Sequence, residues 1–164
     1  MEYTVRMATV DDVDAIVHHR CEMMRELQST SDETSQQMKD NFRPWLLSRL
    51  ENREYLGWLA LAKDNHVVAG SGLIFLDWPP SILHLEAARR AYLLNVYTEP
   101  EHRRRGLARL LTQHAIDWCK ANGIPVLSLH ASTYGRPIYE SLGFLDSAEM
   151  RMVLKSRGQA NQQT

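Results

Sequence analysis

The residues best suited to chemistry lie together in Glu99-Pro100-Glu101-His102-Arg103-Arg104-Arg105-Gly106-Leu107-Ala108, where an alternating apolar run ends and a helical pattern begins. A helix start carries partial positive charge, so acidic side chains are favoured there and basic ones disfavoured. Yet Arg103, Arg104 and Arg105 crowd that end. A local rule broken at a strand-to-helix turn points to a bound anion, because backbone N–H groups, the helix dipole and the guanidinium groups would all face it. Gly106 and the small Ala108 let the first turn come close to that anion. A pyrophosphate suits such a cradle better than a single carboxylate. The triplet taken alone also suits a solvated arginine patch on an ordinary helix start. A nucleic-acid reading is weaker, since the formal net charge is -1 and the chain lacks a wide basic surface interleaved with aromatics.

The stretch Tyr97-Thr98-Glu99-Pro100-Glu101-His102-Arg103-Arg104-Arg105-Gly106-Leu107-Ala108 resembles the acetyl-CoA signature of the GCN5-related N-acetyltransferase (GNAT) family, whose core is Gln/Arg-x-x-Gly-x-Gly/Ala. Downstream, Ile138-Tyr139-Glu140-Ser141-Leu142-Gly143-Phe144 is similar to the family's Leu-Tyr and Gly-Phe segment. The motif-level likeness covers roughly residues 91–154 and does not reach the acceptor-binding region. It implies an N-acetyltransferase that moves the acetyl group of acetyl-CoA onto a primary amine of a small molecule or peptide, by direct attack in a ternary complex and with no metal.

The resemblance also assigns residues by position. Val96, Tyr97 and Thr98 would offer backbone groups to the pantetheine arm, in a gap between splayed parallel strands. Arg103, Arg104, Arg105, Gly106, Leu107 and Ala108 would wrap the pyrophosphate. Tyr139 would be the general acid that protonates the departing thiolate; a thiol near 8.5 and a phenol near 10 lie roughly close enough for transfer within a hydrogen bond. Without the family context, a tyrosine in an amphipathic helix reads as core packing. Two positions depart from the family pattern: Ser132 stands where an asparagine is common, and Tyr92 where some members carry a carboxylate base. Glu86, Glu99 and Asp77 are then open as bases. Trp78, His84, Glu22 and Glu26 are open as acceptor-pocket residues, the two acids reading more readily as a solvated helix face. The missing carboxylate motivates a second reading, a non-catalytic acyl-CoA-binding regulatory module of the same fold.

The elements that must position these residues follow from periodicity. Residues 3–7 alternate like a strand, and Thr9 with Asp12 forms a capping box ahead of a helix carrying Val13, Ile16, Val17, Met24 and Leu27 on one stripe. The Ser- and Thr-rich stretch 29–35 reads as a loop, and a second helix is expected over 36–50 with a break at Pro44. Runs at 55–63 and 67–76 form a hairpin, with Gly70 and Gly72 suggesting a bulge or close backbone approach. Residues 77–86 read as an irregular loop and 91–98 as a strand stopped by Pro100. A helix over 105–122, with Leu107, Leu110, Leu111, His114, Ala115 and Trp118 on one face, is closed by Gly123 and Pro125. A strand at 126–130, a short helix at 136–142 closed by Gly143, and a last alternating strand at 148–154 complete the pattern. Strand, helix, strand implies a parallel crossover and the hairpin antiparallel pairing, so the expected fold class is α/β with a mixed (α+β) central sheet flanked by helices.

At 164 residues the chain has the size of one domain, here expected over 1–155 with a solvated tail at 156–164. Apolar residues make up 44% and charged residues 24%, an ordinary globular balance that argues against disorder. Only Cys21 and Cys119 occur, with neither a disulfide framework nor metal-ligand spacing. No apolar run approaches a membrane span and the N-terminus lacks a signal peptide's apolar region, so a cytoplasmic protein is expected, with no membrane or nucleic-acid partner. A homodimer is compatible with this reading.

Overall fold

Thr9 and Asp12 form the expected capping box, but they cap a short 3-10 turn at Val10–Asp12 that leads into α1 (Val13–Leu27). Asp12 accepts from the Thr9 N–H at 2.8 Å and takes two 2.7 Å bonds from Arg6. This bidentate clasp ties the first strand, β1 (Thr4–Met7), to the helix start, and the Arg6 bonds hold the Asp12 carboxyl below its ordinary range. The structure, a computed structural model, describes residues 3–27, 31–82, 85–86 and 88–154.

Beyond α1 come α2 (Asp32–Glu51), β2 (Tyr55–Leu61), β3 (Val67–Trp78), β4 (Ala88–Thr98), α3 (Leu107–Ala121), β5 (Leu127–Leu129) and α4 (Arg136–Glu140). The strands form one sheet in the order β1-β2-β3-β4-β5, antiparallel throughout except for the parallel β4/β5 pair. This is the mixed sheet expected from the sequence. β2 is buried on both faces: Tyr55, Leu59 and Leu61 pack with α1 and α2, while Trp58 and Ala60 pack with α3. Gly72 is a close approach, because a Cβ there would lie 2.0 Å from the Tyr55 hydroxyl.

Several elements differ from expectation. Ser31 caps α2 through the Thr34 N–H, so residues 32–35 are helical; Asp32 and Glu33 suit the positive helix end. Pro44 lies inside α2 without breaking it: the bond its missing N–H would make is lost, but Phe42 and Leu46 on either side are buried. On α1 the buried stripe is Val13, Ile16, Val17, His19 and Cys21, while Met24 is half-buried and Leu27 exposed. On α3 it is Leu107, Leu111, Thr112, Ala115 and Cys119, which leaves Leu110 exposed and His114 and Trp118 half-buried. Residues 77–78, expected in the loop, and 88–90, ahead of the expected strand at 91–98, both belong to the β3/β4 ladder. Residues 148–154 form no strand and are exposed, because no neighbouring strand takes up their backbone groups. The tail expected at 156–164 lies outside the described residues.

Candidate active site

The site is built where β4 bulges against β3 and parts from β5. Gly72 pairs with Leu94 and Gly70 with Tyr97, so Ser71 alone faces Asn95 and Val96: β4 carries one extra residue. Asn95 absorbs it at φ 54, in the left-handed region that asparagine tolerates better than most residues. On the other side, β5 pairs with β4 only from Ala91 to Leu93. From Leu94 onward the two parallel strands part. Because the Glu99 N–H bonds Val68 O at 2.9 Å, alternation turns the peptide groups of Tyr97 toward β3 and those of Val96 and Thr98 into the gap. Of the three residues expected to face that gap, two direct backbone groups into it. The third, Tyr97, turns its ring toward α1.

At the end of β4 the chain passes through a 3-10 turn, Pro100–His102, into the basic segment. Arg104 and Gly106 both have positive φ, 58° and 79°, and together they reverse the chain so that α3 starts beneath the gap. No side chain caps α3. The N–H groups of residues 104–109 have no backbone acceptor among the described residues, whereas the Leu110 N–H already bonds Gly106 O at 2.9 Å. A Cβ on Gly106 would meet nothing within 4 Å, so the space over the turn is open. Consecutive N–H groups at an uncapped helix start form an anion cradle. These residues therefore fit a pyrophosphate.

The three arginines are not equivalent. Arg103 donates from Nε to Thr98 O at 2.9 Å and pairs with Glu26 on α1, which commits its side chain to the fold. Arg105 reaches the Tyr3 hydroxyl at 3.1 Å, itself 3.0 Å from His102 Nδ1. Arg104 makes no hydrogen bond or ion pair among the described residues. It is the guanidinium most available to a ligand.

Tyr139 lies on α4, half-buried against the α3-side core and edge-on to Phe144 at 5.8 Å. Its hydroxyl makes no hydrogen bond among the described residues, and burial pushes the phenol above its ordinary value. Gly135 makes room for it, since a Cβ there would sit 3.0 Å from the ring. Ser132 Oγ accepts the Gly135 N–H at 3.1 Å, which holds the turn into α4 and leaves the hydroxyl proton to donate. Tyr92 sits on β4 beside β5, its ring 5.6 Å from that of His130.

The comparison that decides the family is a match to the model of the Acetyltransferase (GNAT) family over residues 17–144. The chain belongs to the GNAT family. Among solved structures, it is similar to a GCN5-related N-acetyltransferase from Ralstonia eutropha JMP134, with 34% identity, a TM-score of 0.86, and coverage of 93% of this chain and 99% of that one. A predicted acetyltransferase with acetyl-CoA from Clostridium acetobutylicum gives 25% identity and a TM-score of 0.81, covering 93% of this chain and 96% of that one. The [ribosomal protein bS18]-alanine N-acetyltransferase of Salmonella typhimurium (strain LT2) is 36% identical over 64 residues, which are 37% of this chain and 43% of that enzyme. This chain thus spans less than half the length of that curated relative.

In this GNAT protein two polar clusters escaped the sequence reading, both on the α1 side of β4. Asn95 accepts from Arg20 Nη1 at 2.7 Å and donates to the Tyr55 hydroxyl at 3.2 Å, so a buried chain of polar groups holds the bulge open. Burial pushes the Tyr55 phenol up to about 12. The second cluster is Glu99, 2.9 Å from His18 Nε2 and 3.6 Å from His19 Nε2. The two histidines sit inside a helical stripe, where they read as interruptions of the apolar face. Glu99 is thereby occupied at the phosphate end of β4. Glu22 pairs with Arg25 along α1, and Asp77 stands opposite Arg89 at the far end of β3. Glu86 is exposed, Trp78 packs under the Arg90 guanidinium at 3.9 Å, and His84 lies outside the described residues.

Proposed function

We propose that this GNAT protein is an N-acetyltransferase that moves the acetyl group of acetyl-CoA onto a primary amine of a small molecule or peptide, by direct attack in a ternary complex. The observation that carries the reading is the continuous path from the splayed β4/β5 gap, lined by the peptide groups of Val96 and Thr98, to the uncapped start of α3. Acetyl-CoA supplies the activated acetyl group. Residues 104–109 hold its pyrophosphate by backbone N–H groups, with Arg104 and Arg105 adding charge and Arg103 bracing the turn through Glu26. Val96 and Thr98 align the pantetheine arm as an added strand would, and the Ser132 hydroxyl is a further donor toward it. The Tyr139 hydroxyl, kept protonated by burial, delivers its proton to the leaving sulfur.

A protein amine is supported as one acceptor class by the name of the Salmonella relative. A cytoplasmic location agrees with two free cysteines, both buried, and no helix among the described residues is long and apolar enough to cross a membrane. The test is release of free CoA from acetyl-CoA across a panel of primary amines and N-terminal peptides, beside calorimetry with CoA. Turnover with any amine supports the transferase. Tight CoA binding with no turnover on the whole panel would favour the non-catalytic module, and no binding by the folded protein would remove both readings.

A further inference from the structure

Arg20 on α1 is a charge without a counter-ion. Its side chain is half-buried, its guanidinium lies over the Phe42 ring of α2 at 4.7 Å, and Nη1 donates to Asn95 Oδ1 at 2.7 Å. Nε is buried and bonds nothing, while Nη2, also without a partner among the described residues, is left accessible. The three carboxylates of α1 are engaged elsewhere: Asp14 with Arg43, Glu22 with Arg25 and Glu26 with Arg103. Burial draws the guanidinium below its ordinary pKa, and only Tyr55 and Cys21 act in the other direction. Taking a cation out of water with no anion beside it is costly.

Bracing the bulge does not require that charge. A side-chain amide could donate to Asn95 with nothing ionised to desolvate. The edge of the guanidinium that Asn95 leaves free carries Nη2 and Nε, the pair of donors that grips a carboxylate side-on. Its place in the fold says which carboxylate. Leu94 and Asn95 both turn toward α1 and α2, as the extra residue of the bulge allows, whereas Leu93 and Val96 pack on the α3 side. The gap between β4 and β5 opens beyond Leu93 and runs to the anion cradle past Thr98. With the pyrophosphate of acetyl-CoA in that cradle, the acyl end of the pantetheine arm points back to the apex, beside Leu94 and Asn95. Arg20 stands where the arm ends, on the sheet face opposite α3.

We propose that Arg20 receives a carboxylate of the acceptor, so that the substrates are amines that also carry a carboxylate, with the acid on Arg20 and the amine at the thioester. This deepens the transferase reading above and rests on it. The carboxylate supplies the counter-ion that the fold leaves out, and Phe42 and Asn95 already hold the guanidinium from two sides, so little freedom is lost when it arrives.

The test pairs each α-amino acid, and each ω-amino acid from β-alanine to 6-aminohexanoate, with its own carboxamide. Wild type should use at least one acid with a kcat/KM about tenfold or more above its amide, and calorimetry on the CoA-loaded protein should show that acid binding tighter by a similar factor. Arg20→Gln, checked for an unchanged circular dichroism spectrum, should bring acid and amide to about the same value, and Arg20→Lys, which keeps the charge but not the fork, should restore part of the preference. Equal use and equal binding of acid and amide throughout would overturn the proposal while turnover itself still stood. So would a preference that survives Arg20→Gln, or a fall of acid and amide together, which would leave Arg20 as a brace for the bulge. Faster transfer from succinyl-CoA than from acetyl-CoA to the neutral amides would place the carboxylate on the acyl group and overturn it as well. Selective binding of an acid, lost in Arg20→Gln, with no acetyl transfer to any amine would remove the transferase reading and keep the carboxylate site.

Discussion

Tyr139 is where a single atom decides between packing and chemistry. Its ring fills space beside Phe144 and over Gly135, which packing alone would explain, but a phenol so placed ordinarily finds a hydrogen-bond partner. Here the hydroxyl has none among the described residues. Tyr139→Phe keeps the ring and removes the oxygen, so fold and cofactor affinity should survive while turnover falls. Positioned acid catalysis is worth about a hundredfold to ten-thousandfold, which sets the expected loss in kcat. The Kd for acetyl-CoA should move by less than about threefold, under about 0.7 kcal/mol. With an acceptor from the amine panel and chemistry shown to limit the rate, a kcat within a factor of two of wild type would make Tyr139 a packing residue.

At the scale of elements, the turn into α3 joins backbone geometry to binding. Gly106 sits at φ 79 with open space where its side chain would be, so a substitution there is strained by the backbone and not by a clash. Gly106→Val forces a β-branched residue into the left-handed region at a cost of about 1–2 kcal/mol, and it projects two methyl groups over the N–H cradle. CoA affinity should fall at least about tenfold, or about 1.4 kcal/mol. The helix itself should stand, because the buried stripe of Leu107, Leu111, Ala115 and Cys119 carries it, so the circular dichroism spectrum should hardly change. An unchanged Kd would place the phosphate elsewhere.

The strand, basic turn and helix around this glycine were legible because each is local: alternation, a proline stop, a glycine and a 3.6-residue period. The start of α2 was not, since Ser31-Asp32-Glu33-Thr34 is good helix-start chemistry and equally good loop composition. Pro44 was over-read, because a proline's local penalty says nothing of the buried Phe42 and Leu46 that hold the helix across it. The Arg20–Asn95–Tyr55 chain joins residues 75 and 40 positions apart, a juxtaposition that no spacing rule reveals. The alternation at 148–154 suggests a strand that the structure does not form, because a period alone cannot supply the neighbouring edge that a strand needs.

Across the whole molecule, α1 is pressed against β4 by groups that would prefer water, and this makes stability depend on pH. His19 is buried, with Nδ1 unpaired, its ring 5.2 Å from that of Tyr97 and its Nε2 3.6 Å from Glu99. Burial pushes its imidazole down to about 4, and repulsion from His18 and His66 adds to the effect. In the unfolded chain the same imidazole titrates near 6.5, roughly the value for a solvated histidine. The folded pKa is the lower one, so between those values the unfolded chain takes up a proton that the folded protein refuses. The contribution is fully present above about pH 6.5 and is lost as the pH falls toward 4, by at most about 3 kcal/mol. Asp12 acts in a different window. Its carboxyl is held below the ordinary range, so it stabilises above about pH 3.9 and loses that contribution only in stronger acid. Urea midpoints measured at pH 7 and pH 5 should therefore fall for wild type. His19→Gln, which removes the titrating group, should be less stable at pH 7 yet show a flatter dependence between the two. Parallel slopes for the two proteins would assign the loss to other groups and leave His19 as packing alone.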